Sequence, residues 1–121
     1  MNQHSAEFIQ ICSLADARRE ILAIGSDANS IDIMAPKAVH KTIRLQNITV
    51  QDAVIIKQDM LSIGGEVAIP KDAFQLKDSS VSILLLGTVA QLTFLVEKLH
   101  RHYPRLQRIA AEINGLLAEI K

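Results

Sequence analysis

The chain has 121 residues, 49% of them apolar, and thirteen basic side chains balance thirteen acidic ones. That length suits a single domain burying a core without metal or disulfide staples, and the zero net charge gives no field to gather nucleic acid or an anionic membrane. Cys12 is the only cysteine, which excludes an intrachain disulfide and suits a reducing cytoplasm; the opening "MNQHSAEFIQIC" does not read as a signal peptide, and no apolar run is long enough to span a bilayer.

In chain order, residues 5–24 are predicted helical, with Phe8, Ile11, Cys12, Ala15 and Leu22 at helical spacing and Ser5 as cap. Cys12 is then a small core residue. Gly25 stops the helix and "SDANS" turns the chain. "IDIM" alternates like a strand, closed by the proline of "APK". "TIRLQNI" alternates again, with Ile43, Leu45 and Asn47 on one face.

Thr49 is placed to cap a second helix over 50–63, which Gly64 and Gly65 end. "EVAIP" follows as a short strand, and "KDAFQLKDSS" as a polar connection with a brief strand at Phe74 to Leu76. "VSILLLG" is a continuous apolar run, suited to a central strand buried on both faces. Thr88 caps a third helix reaching about Arg101, and Pro104 opens a fourth. Leu106, Ile109, Ala110, Ile113, Leu116, Leu117 and Ile120 form its apolar stripe. This order predicts an α/β or α+β domain, a small mixed sheet of about four to five strands covered by about four helices.

The double glycine does not fit a phosphate loop. Such a loop leaves a strand and enters a helix, whereas Gly64 and Gly65 leave a helix and enter a strand. A left-handed cap at Gly64 and a tight turn at Gly65 account for them. Lys57 falls on the helical face shared by Val50, Ala53, Val54 and Leu61, where it pairs with a carboxylate, snorkels, or meets an anion. Lys57 with the amides of Gly64 and Gly65 is therefore the one candidate ligand site. His100 and His102 form no ligand cluster, and "HRHYPR" is a basic helix end. No catalytic residue, metal site or cofactor motif is identified.

"IMAPKA" at 33–38, "KQDMLSIGGEVAIP" at 57–70 and "LLLGT" at 84–88 together resemble the domain N-terminal to the catalytic barrel in some bacterial dihydropteroate synthases and archaeal dihydropteroate synthase-related proteins. The resemblance runs from the end of the first helix to the last. It implies a folate-biosynthesis transferase, joining p-aminobenzoate to a dihydropterin pyrophosphate in a pterin-binding (β/α)8 barrel that needs far more chain than this. The barrel's Asn-Val-Thr-Pro-Asp-Ser-Phe-Ser stretch is absent. "SIGGEV" imitates its Asp-Ile-Gly-Gly-Glu-Ser motif with Ser62 for the acid and Val67 for the serine, so no catalytic residue carries over. The expectation is a non-catalytic accessory domain whose partner is a catalytic barrel, of the same or another chain. The alternatives are a small-ligand or anion-binding module at Lys57, Gly64 and Gly65, and a purely structural oligomerisation domain, with a homodimer as its expected assembly. Neither nucleic acid nor membrane is an expected partner.

Overall fold

A computed structural model describes residues 3–75 and 79–121. Helix α1 (Leu14–Ile24) and the short α2 (Ala28–Met34) lead through a 3-10 turn at Ala35–Lys37 into strand β1 (His40–Thr49). Helix α3 (Val50–Ser62), strand β2 (Glu66–Ala68), a second 3-10 turn (Ala73–Gln75) and strand β3 (Ser80–Thr88) follow. The chain then runs through α4 (Val89–Leu99) and α5 (Pro104–Leu117).

Among the described residues the sheet has three strands in the order β1-β3-β2, and both pairings are antiparallel. The sheet is smaller than expected and not mixed. Because β1 and β2 both oppose β3, they run parallel to each other, joined by α3 across the strand between them: a split β-α-β unit. Inward side chains Ile43, Leu45, Val67, Val81, Ile83 and Leu85 share one core with α3, α4 and α5. Thr42, Arg44, Gln46, Ser82, Glu66 and Ala68 are exposed on the opposite face, around half-buried Leu84 and Leu86. β3 is the central strand, as its apolar run suggested, but it is fully covered on one face only.

Three expectations fail for identifiable reasons. Helix α1 begins at Leu14, because Ser13 accepts the Asp16 amide at 3.0 Å and stops the helix propagating towards Ser5. Phe8, Cys12 and Leu22 are consequently exposed, and the packed side is Leu14, Ala17 and Ile21. "IDIM" is helical. Four alternating residues fit either period, and Ile31, Met34 and Ala35 face inward at helical spacing. Pro36 lies in the first turn of the 3-10 helix, where its missing N–H costs nothing. Phe74 also belongs to a 3-10 turn, not a strand, while Leu76 lies outside the described residues.

The later helices follow the sequence closely. Thr49 caps α3 through the Asp52 amide, and Thr88 and Gln91 form a reciprocal capping box on α4. Leu106, Ile109, Ala110 and Ile113 of α5 are buried, Leu117 is half-buried, and Leu116 is exposed.

Candidate functional site

The helix α3 that carries Lys57 is rotated from the expected setting. Its buried face is Val50, Asp52, Ala53, Ile56 and Met60, while Leu61 is exposed. Lys57 thus lies at the edge of the packed face. Its Nζ donates to the Val67 carbonyl at 2.9 Å and sits 3.5 Å from the Glu66 carboxylate. The aliphatic stem lies over the helix–strand junction while the ammonium holds β2 against α3. Lys57→Met is expected to lower stability by less than about 1 kcal/mol, since a part-exposed ion pair contributes little. A urea titration reads this directly.

Gly64 takes φ +89°, the left-handed cap conformation that glycine adopts without strain. Its amide donates to the Leu61 carbonyl at 3.1 Å, and the Gly65 amide to the Met60 carbonyl at 3.0 Å. The two amides that an anion cradle would need are therefore already donated to α3. Gly65 is required for a different reason. A Cβ there would stand 2.4 Å from Met60 Cε and 2.9 Å from its Cγ and Sδ; one on Gly87 would stand 2.5 Å from the same Cε. Met60, fully buried, is seated between two glycines.

The strongest polar assembly lies elsewhere and was not expected. Asp52 is the one buried charged residue among those described, only 1% exposed. Arg105 donates to its carboxylate from Nε at 2.5 Å and from Nη2 at 2.9 Å, and the Tyr103 hydroxyl donates to Oδ1. The guanidinium also lies 5.1 Å from the Tyr103 ring centroid, within cation–π range. Burial pushes the Asp52 carboxyl up, but the Arg105 and Tyr103 hydrogen bonds outweigh it and hold the group below the usual carboxylate range. Burial, then the neighbouring carboxylate, pushes the Tyr103 phenol up. The cluster ties the first turn of α3 to the first turn of α5. His102, at 3.0 Å from Asp59, links the segment before α5 to the last turn of α3.

Beside this cluster an open cleft of about 350 Å³ is lined by Asn47, Thr49, Arg105, Arg108 and Glu112 among others. Asn47 has φ +58°, at a bulge where the β1–β3 register slips between Leu45 and Ile48. The slip turns Ile48 inward in place of the Asn47 expected from strict alternation. Sequence reasoning missed the whole assembly. Its one local trace is Thr49-x-x-Asp52, which reads as a helix start; the partners lie 51 and 53 residues away.

No family profile and no solved structure matches the sequence. The chain is 29% identical over 94 residues to the bifunctional dihydropteroate synthase/dihydropteroate reductase of Helicobacter pylori. It is a distant similarity. The match takes in 78% of this chain but 25% of the relative, so the chain spans about a quarter of the length of that protein. No helix among the described residues is long and apolar enough to cross a membrane.

Proposed function

We propose that the chain is a non-catalytic domain of a dihydropteroate synthase-like folate-pathway protein, packing against a catalytic barrel of the same or another chain. The observation that carries this is the similarity over 94 residues to one quarter of a bifunctional synthase/reductase. A synthase barrel needs eight strands and far more chain, whereas the described residues of this domain form three strands. The open face of the sheet, with Leu84 and Leu86 half-buried among polar neighbours, suits the docking surface: an apolar centre with a polar rim. A second reading, a small-ligand module, draws support from the cleft rimmed by Arg105 and Arg108 rather than from Lys57 and the glycines. Dihydropteroate is its first ligand to try, since the relative's name carries both its synthesis and its reduction.

The test uses the purified chain with dihydropterin pyrophosphate, p-aminobenzoate and dihydropteroate in a calorimeter, with product assays on the same samples. Expected are no dihydropteroate formed and co-elution with a dihydropteroate synthase barrel from the same organism, abolished by Leu86→Lys. Turnover by the isolated chain overturns the proposal. Heat with dihydropteroate alone, lost in Arg108→Ala, replaces it with the second reading.

A further inference from the structure

Residues 3–12 form no helix or strand, and residues 3–10 are exposed throughout. Phe8 is 104% exposed and Ile9 55%. Among the described residues, the hydrogen bond that ties this arm to the domain runs from the Cys12 amide to the Asp16 carboxylate at 3.1 Å. An aromatic ring left wholly in water and a branched aliphatic side chain left about half in it both forgo the gain of burial. The segment "AEFIQI" is strand-competent: Ile9 and Ile11 are β-branched, and no proline or glycine interrupts it.

The complementary feature is β1. Among the described residues it pairs with β3 on one side only, so its other edge presents backbone N–H and C=O groups with no strand partner. Proteins normally blunt or cover such an edge. A groove of about 500 Å³ runs beside it, lined by Lys41, Thr42 and Ile43 of β1 and by Leu116, Leu117 and Ile120 at the end of α5. Cys12 and Ser13, the root of the arm, stand on the rim of the same groove.

We propose that residues 3–10 of one copy add as a fourth strand to the open edge of β1 in a second copy, reciprocally, giving a two-fold dimer. The match is one of length, side-chain placement and charge. The eight exposed residues of the arm can cover most of the ten-residue β1. With Phe8 turned into the groove beside Ile43 and Ile120, strand alternation puts Glu7 and Ile9 on the open sheet face. Arg44 lies on that face, a cation for Glu7. The arm's own β1 is the poorer host. The Ser13 hydroxyl is held as the α1 cap and the Cys12 amide by Asp16, and an intramolecular return would have to reverse within those two residues. Reciprocal exchange needs no reversal, and a two-fold axis closes it after two copies.

The inference stands apart from the folate reading and is tested separately. Sedimentation equilibrium of the full chain, from micromolar to millimolar, is expected to show a mass moving from 13.3 kDa to twice that value. Phe8→Asp is expected to raise the dimer dissociation constant by about a hundredfold, as loss of a buried aromatic anchor does, with an unchanged circular dichroism spectrum at concentrations where both chains are monomeric. A peptide of residues 3–12 carrying Cys12→Ser is then expected to bind the Phe8→Asp chain and shift the amide resonances of Lys41, Thr42, Ile43 and Ile120. A monomer at every concentration overturns the proposal. So does a dimer indifferent to Phe8→Asp, or peptide shifts confined to other surfaces.

Discussion

Asp52→Ala is expected to lower the unfolding free energy by about 2–3 kcal/mol, among the largest single losses on this chain. Removing one member of a buried ion pair costs about 3–5 kcal/mol where the other charge is stranded. Here Arg105 is 45% exposed and regains water, which trims the loss. Tyr103→Phe removes one hydroxyl bond from the same cluster and should cost about 1 kcal/mol. The pH dependence has a definite sign. The folded Asp52 carboxyl is held below its ordinary value of 3.8, so its stabilisation is complete above that value. It drains away as pH falls through it towards the depressed folded value. Urea midpoints of wild type and Asp52→Asn should therefore stay apart through the neutral range and converge in strong acid. A gap independent of pH would remove the ion pair as the cause.

Gly65→Ala should destabilise by about 1–3 kcal/mol through overpacking alone. The added methyl group would overlap not only the mobile end of Met60 but also its Cγ, at 2.9 Å. Gly87 lies against the same end of the methionine, so Met60 is flanked by a glycine on each of two strands' ends. Met60→Ala by itself opens a cavity and costs about 2–5 kcal/mol. In the double variant the alanine methyl fills part of that cavity, so the two losses should fall short of their sum by about 1 kcal/mol or more. Additive losses in denaturant titrations would place the role of Gly65 in its backbone instead.

What the sequence discloses depends on the range of the interaction. The Thr49 and Thr88 caps, the Gly64 stop, the Pro104 start and the buried stripe of α5 from Leu106 to Ile113 are encoded within a few residues of where they act, and each is found in place. The strand-like alternation of "IDIM" misleads because four residues cannot separate two periods. Residues 5–13 mislead because apolar recurrence there serves no helix; the Ser13 cap, a stronger local signal, outranks it. Asp52 is illegible for another reason. A first-turn aspartate is ordinarily a solvated helix-start residue, and nothing in its neighbourhood announces an arginine 53 positions on. The role of Gly65 was similarly hidden. The glycine pair marked a turn, but the methionine it accommodates is visible only once α3, β2 and β3 are packed.

The split β-α-β arrangement has a temporal consequence for a chain made from its N-terminus. Among the described residues, β1 and β2 flank β3 and touch no other strand, and β3 is the last of the three to be synthesised, ending at Thr88. A nascent chain stopped before Ser80 therefore holds two strands with nothing to pair with, and no partial sheet is available as a resting place. The helix α3 and the turn after it must wait, with Ile56 and Met60 uncovered, until a single nine-residue segment arrives to close both ladders together. Pairing across some forty residues makes that closure slow relative to helix formation, and the exposed interval is when such a domain is most open to aggregation or chaperone capture.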